Sequence, residues 1–397
     1  MHVIVVGAGL TGLQSALSLR EKGAEVTLVE ARRAPCQGAS YSCAATLGDE
    51  TPEQLAPEAG RLARLRAMKS SDEGLIYSPG TALRYAAFVS ALLQNRAPEK
   101  TESRRALLSQ LSDASAALLR ERAERYGFDL QESAGTFTVL TAEECRTHKA
   151  VALEDILTIE PSLYAAQDAC GFLLSRAATW SVSYYAKQLK EYLIATGVPV
   201  LSSREAESVL TEDGRAVGVS AGGEIRGDAV LLAAGTGAQA LLPEGALGGA
   251  VFAPITRSLF NIELNGAAHR IRHAVRDPEG RIAVPLNAFL RIMGRWHLGT
   301  AEQCPVNDEY KALWAFGIRL YPETADWSQG RYLSQTVLSS ADGLPVAGAT
   351  RVPGLFVNMA GGIHGADFSS AAADAAADAV LGRDNAFGPD LAFTRLG

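Results

Sequence analysis

Apolar residues run along this chain in two rhythms, one continuous and one helical. Residues 2–6 (His-Val-Ile-Val-Val) are a short β-branched run closed by Gly7, which predicts a buried strand. Leu10, Leu13, Ala16 and Leu17 then fall on one helical face, and Gly23 supplies a C-cap, so residues 11–22 read as a helix. Residues 25–29 (Glu-Val-Thr-Leu-Val) read as a second strand. Strand, helix and strand in about 30 residues make a βαβ unit, which implies a parallel sheet.

Further along, residues 97–126 are rich in Ala, Leu, Arg and Glu and predict a long surface helix with disorder near 97–104. Residues 136–140 read as a strand, 182–196 as a helix and 198–202 as a strand. Residues 204–221 alternate as a hairpin around Glu212-Asp213-Gly214. Residues 228–234 are another buried strand ending at Gly235, and 251–300 hold several strand-like segments. A last strand at 354–358, a turn at Gly361-Gly362 and an Ala-rich helix at 367–381 close the pattern. There is no internal repeat.

The length, 397 residues, calls for two or three folding units. A net charge of −7 without any long basic block argues against a nucleic-acid partner. Five cysteines without a CxxC pair disfavour zinc and a disulfide framework and fit a reducing compartment; no metal is expected. No apolar run reaches about 18 residues, and a strand from position 3 leaves no room for a cleaved leader. A cytoplasmic location is expected, with peripheral attachment to the inner face of the membrane left open.

Gly7-Ala8-Gly9-Leu10-Thr11-Gly12 matches GxGxxG between the first strand and the first helix. Gly7 permits the tight turn, Gly9 the approach of backbone N–H groups to a pyrophosphate, and Gly12 close helix–sheet packing. The helix N-terminus favours the phosphate charge. Glu30 ends the second strand, 18 residues after Gly12, where an acid accepts hydrogen bonds from a ribose. Ala31 and Arg32 follow it as further nucleotide contacts. The strand ending at Ala234-Gly235-Thr236-Gly237 resembles the late "ATG" element of flavoprotein Rossmann folds, and Gly354–Gly365 resembles a C-terminal flavin-contacting element. Both point to FAD rather than NAD.

Together these residues resemble the D-amino acid dehydrogenase, glycine oxidase and sarcosine oxidase family of FAD-dependent amine oxidoreductases, from Val3 to Arg383. The small-residue loop from Ser40 to Gly48 resembles the family's passage beside pyrophosphate and flavin, which implicates Ser40, Ser42, Cys43, Ala44 and Ala45. After Thr196-Gly197-Val198, Glu205 and Ala206 fall where the family places the adenine. Ala341–Gly348 matches the family's "DG-P-(I/V)-G" turn, and Leu381-Gly382-Arg383 its helix end. The resemblance implies that Gly361, Gly362, Ile363, His364 and Gly365 lie at the flavin. Noncovalent FAD is expected, because Cys43 and Cys304 are conceivable anchors but neither sits in a recognisable attachment motif. The implied fold is α/β: a Rossmann-like FAD-binding domain (1–85, 150–240 and 333–397) intertwined with a mostly antiparallel α+β substrate domain (86–149 and 241–332). The implied activity is hydride transfer from a C–H next to nitrogen to flavin N5, giving an imine that water hydrolyses, with O2 or a quinone as electron acceptor.

The sequence also departs from the family. Where the family carries a carboxylate-binding arginine, Val337 stands in Gln335-Thr336-Val337-Leu338, and an uncharged residue cannot form that pair. Arg257, Arg291 and Arg295 are the replacement candidates. Gly361 stands where the family often has histidine, which leaves His364 as a flavin contact, a substrate contact or a helix cap. Trp296 and His297 are pocket candidates, and Tyr332 and Trp180 weaker ones. No acid–base triad is legible. Three readings remain open: an amine or amino-acid oxidoreductase, an oxidase of a modified or carboxylate-masked amine in a biosynthetic pathway, and a flavin-binding subunit of a hetero-oligomer.

Overall fold

The computed structural model describes residues 1–47, 75–95, 98–266, 271–304 and 306–396. Gly48 and residue 97, both part of features expected above, lie outside the described residues.

Val3, Ile4, Val5 and Val6 are buried on both sides of the first strand, His2–Val6, as an all-apolar run requires in a parallel sheet. Around that strand a six-stranded sheet runs in the order Val346–Ala349, Leu355–Met359, Ala229–Leu232, His2–Val6, Glu25–Val29 and Val200–Leu201. All neighbours are parallel except the first pair. Three distant parts of the chain therefore meet in one sheet. The expected hairpin forms between Ser208–Glu212 and Arg215–Ser220, with Asp213 (φ 49°) and Gly214 (φ 75°) in its turn.

The helix Leu10–Glu21 packs against the Ala-rich helix Ser369–Val380, whose methyl-only face lets the two approach closely. The expected surface helix, Pro98–Tyr126, is not a surface helix throughout. Leu108, Leu111, Ala116, Leu119 and Ala123 enter the same core as the first helix, and Arg122 is 1% exposed. Its charge-rich composition hid an apolar stripe that only a partner surface reveals.

The second sheet has eight strands, running from Arg331–Ser340 through Phe252–Glu263, Phe289–Leu298, Ile282–Leu286, Ala274–Arg276 and Thr136–Val139 to Phe172–Ser175, with Leu75–Ile76 beside Trp296 and His297. Most pairings are antiparallel. One face (Phe260, Ile262, Leu290, Ile292) packs on Leu313, Phe316 and Leu320 of the helix Val306–Leu320. The other (Leu259, Val284, Met293) packs on Ala44 of the nucleotide-side loop. Phe172–Ser175 and Arg331–Ser340 belong to this sheet, although the sequence placed the segments from 150 and from 333 with the nucleotide domain. A strand's apolar pattern does not say which sheet it joins.

The turn between Arg331–Ser340 and Val346–Ala349 is tied to the C-terminal tail. Arg395 donates to Asp342 through Nε (2.8 Å) and Nη2 (3.3 Å), and Nη2 also reaches Leu344 O (2.8 Å). Burial pushes the Asp342 carboxyl upward, but Arg395 and the Leu344 amide outweigh it and hold it below the ordinary carboxylate range. A carboxyl held low in the folded state contributes stability above its unfolded pKa and loses it as pH falls through the folded one. Arg395→Ala should cost about 2–4 kcal/mol at pH 7 and flatten the acid limb of stability below about pH 4, measured by urea unfolding across pH.

Candidate functional site

The first strand delivers the chain to Gly7, which adopts φ +100° and donates its N–H to Val29 O (2.7 Å). A Cβ at Gly7 would stand 2.6 Å from Ala233 O, and one at Gly12 would stand 1.8 Å from Gly7 O. Only glycine fits this strand–turn–helix corner. The helix that follows has Gly9 as its N-cap, with no side-chain cap, and of its first-turn amides those of Thr11 and Gly12 are the ones left to face an anion. Leu10 N donates to Ser40 Oγ (2.9 Å), which pins the small-residue loop beside the turn.

Glu30 ends the second strand and is buried. Its Oε2 accepts from Ala8 N (2.8 Å) and its Oε1 from Arg32 N (2.9 Å), so the carboxylate is fixed before any ligand arrives. Arg204 N donates to Glu30 O (2.9 Å) and brings the segment from Arg204 to Glu207 alongside.

These pieces open on one cavity of about 920 Å³. Among the residues expected from sequence, Gly7, Gly9, Leu10, Thr11, Glu30, Ala31, Arg32, Ser40, Cys43, Ala206, Ala234, Gly235, Gly361, Gly362, Ile363 and Gly365 line it. Ala8 and Gly12 lie behind the turn, where their work is geometric. Ser42, Ala44 and Ala45 do not reach the cavity; Ser42 and Ala44 are buried, and Ala45 pairs with Trp180 in a two-stranded ladder. His364 does not line it either. Its Nδ1 lies 2.9 Å from Asp367 Oδ2, a local tie in the turn before the last long helix.

Of the three candidate arginines, only Arg257 lines the cavity. Arg291 is buried behind it, with Nε on Asn261 Oδ1 (2.8 Å) and Nη1 on Cys43 O (3.0 Å). Burial lowers its pKa to about 10, and it acts as a brace for the loop. Arg295 pairs with Glu309 (3.3 Å), which also stands 3.4 Å from His297 Nε2, so both belong to a cluster away from the cavity. Tyr332 is 45% exposed and packs on Phe260 and Tyr310. Trp180 is a core residue set edge-on to Tyr185. Trp296 is in the wall.

Sequence reasoning missed Gln335 as a wall residue. Its significance comes from register: Arg257 pairs with Gln335 across strands, and Arg257 Nε donates to Gln335 Oε1 (2.7 Å). Nothing in a linear reading links positions 78 residues apart. Arg204 and Glu207 were missed for the same reason.

Burial pushes the pKa of the Cys43 thiol up against the opposing pull of Arg257, and pushes that of Cys36 up to about 12. Among the described residues no group of His, Cys, Asp and Glu could hold a metal ion, and no helix is long and apolar enough to cross a membrane.

A glycine corner, a fixed acid at the second strand and a cavity leading to a second sheet define a two-sheet dinucleotide-binding flavoprotein. Residues 2–379 match the family model described as "DAO: FAD dependent oxidoreductase", and the chain belongs to that family. It is 25% identical to a D-amino acid dehydrogenase of Rhizobium rhizogenes over 96% of both chains, and 25% identical to one of Rhizobium johnstonii over the whole of both. Among solved structures, glycine oxidase from Geobacillus kaustophilus superposes with a TM-score of 0.68 at 20% identity, covering 99% of this chain and 98% of that one. L-proline dehydrogenase from P. horikoshii also gives 0.68, at 15% identity, covering 99% and 97%.

The residues present fit FAD. Glycine at 7 and 12 lets strand, turn and helix close up so that Gly7, Gly9 and Thr11 line the cavity, and the Glu30 carboxylate is already oriented. Glu30→Ala should weaken FAD binding about 10- to 100-fold with the fold retained, read by fluorescence titration of the apoprotein.

Proposed function

We propose that the protein oxidises the C–N bond of a small amine or amino acid to an imine, which water then hydrolyses. The observation that carries this reading is the single cavity joining the nucleotide turn at Gly7–Thr11 to Arg257, Trp296, Gln335 and Val337 on the second sheet. The relatives named D-amino acid dehydrogenase support it.

FAD, held by the glycine turn, Glu30, Ser40 and the Gly361–Gly365 turn, supplies the hydride acceptor. The protein's own part is binding, orientation and exclusion of water. Trp296, Val337, Leu338 and Ile363 give the reaction end an apolar wall. Arg257 places a positive charge in the same wall, which lowers the pKa of a bound substrate ammonium and favours the neutral amine that can release hydride. No side chain has to act as a conventional base. Electrons would then pass from the bound cofactor to O2 or a quinone.

The test is anaerobic addition of D-amino acids, L-amino acids and simple amines to the holoenzyme while the flavin band is watched. Bleaching by one class supports the reading, and no bleaching by any refutes it for free amines. The apolar Val337 in the wall favours one second reading, an amine whose carboxylate is masked. In that case only an ester or amide of the amino acid would bleach the flavin.

A further inference from the structure

We propose that Arg257 is the carboxylate anchor of this site, so that the substrate is an amino acid with a free carboxylate gripped from the strand next to Val337. This rests on the amine-oxidation reading above and excludes its masked-substrate variant.

Arg257 is 8% exposed yet lines the cavity. Among the described residues no carboxylate lies within 4.0 Å of its guanidinium. Nε donates to Gln335 Oε1 (2.7 Å), Nη2 reaches Ala44 O (3.5 Å), and the guanidinium carbon sits 4.5 Å from the centre of the Trp296 ring. A guanidinium has five N–H donors. These contacts leave both Nη1 hydrogens and one on Nη2, the terminal fork that takes a carboxylate through two parallel hydrogen bonds. A cation this deeply buried needs a counter-charge. Burial lowers the pKa of the guanidinium, and only the neighbouring Cys43 side chain and Asp367 favour its charged form, Asp367 from beyond ion-pair distance and with its Oδ2 engaged by His364. A substrate carboxylate completes the set. Trp296 and Gln335 hold the guanidinium plane and are positioning residues.

Register explains why Val337 can be apolar. Arg257 lies opposite Gln335 and Ile255 opposite Val337. Residues two apart on a strand share a face, and Arg257, Gln335 and Val337 all line the cavity. Neighbouring strands are about 4.8 Å apart, so the grip has moved sideways by about one strand. A second arginine at 337 would repel the first. Arg291 cannot take the role, because Asn261 and the Cys43 carbonyl hold it outside the cavity wall.

The test titrates oxidised holoenzyme with benzoate and acetate, and with their neutral amides, following the perturbation of the flavin band. The wild type should bind a carboxylate at least ~30-fold tighter than its amide. Arg257→Gln should lose about 100-fold or more, and Arg257→Gln/Val337→Arg should regain about 10-fold from the neighbouring strand. Equal binding of acid and amide, no carboxylate binding by the wild type, or wild-type binding by Arg257→Gln would each overturn the proposal. If Arg257→Gln takes up no FAD, the wild-type preference and Arg257→Lys, expected to bind about 10-fold more weakly than wild type, decide it. The assay needs no turnover. Carboxylate binding through Arg257 without bleaching by any amine would refute the oxidation reading alone. Bleaching by amines lacking a carboxylate as readily as by amino acids would refute the anchor alone.

Discussion

Gly12→Val is expected to yield a protein purified without flavin, with a lowered melting temperature. The Cβ alone stands 1.8 Å from the carbonyl oxygen of Gly7, so no rotamer relieves the clash. The first helix must tilt away from the turn, taking with it the amides that would face the pyrophosphate. It cannot tilt freely, because it is packed on the helix Ser369–Val380 and on the first strand. A clash of this kind belongs to the mechanisms that cost more than about 4 kcal/mol. If that cost falls on the bound conformation, affinity drops about a thousandfold. The check is the FAD-to-protein ratio after gel filtration, together with a thermal melt with and without added FAD. A variant that holds FAD as the wild type does would show that the turn is not the pyrophosphate site.

Arg122→Ala should carry the largest stability loss away from the cavity. Arg122 joins three helices. Its Nε and Nη2 hold Glu21, its Nη2 reaches Ser18 Oγ (2.8 Å), and Asp374 lies 3.7 Å away. Gln14 extends the network, donating to Ser369 Oγ (3.2 Å) and accepting from Ser370 Oγ (3.1 Å). Removing the cation leaves Glu21 partly buried and unpaired, which costs about 3–5 kcal/mol. Arg122→Met, which refills the volume, combined with Glu21→Gln, which removes the stranded charge, should recover most of that loss. Urea midpoints of the single and double variants measure both effects. FAD binding at low temperature should survive in Arg122→Ala, since Arg122, Glu21, Ser18 and Asp374 do not line the cavity and Ser369, which does, keeps its bond to Ala366 O (2.7 Å).

The nucleotide half was legible because its determinants are local. A turn, a helix start and an acid at a strand end lie within residues 7–30, and sterics dictate glycine at two of those places. The late strand Ala229–Leu232 and the turn at Gly361-Gly362 were legible as elements, each marked by an apolar run and glycine. The reaction end was not. The sequence presented three arginines of equal standing, and it could see that Val337 lacked a charge but not what replaced it. For His364 the sequence left a flavin contact, a substrate contact and a helix cap open, and what only the structure shows is its tie to Asp367 three residues later.

The order of residues therefore determined the cofactor class, the position of its phosphate grip and the α/β character of the fold. Those depend on spacings of a few residues, which backbone geometry converts directly into shape. Tertiary structure alone decided that Arg257 faces the cavity while Arg291 and Arg295 do not, that Gln335 is its brace, and that the Pro98–Tyr126 helix is half core. Those outcomes follow from the register between strands about 80 residues apart and from which buried carbonyl or carboxylate claims each guanidinium first. Pairings of that kind are set by packing across the whole molecule, and no local pattern records them.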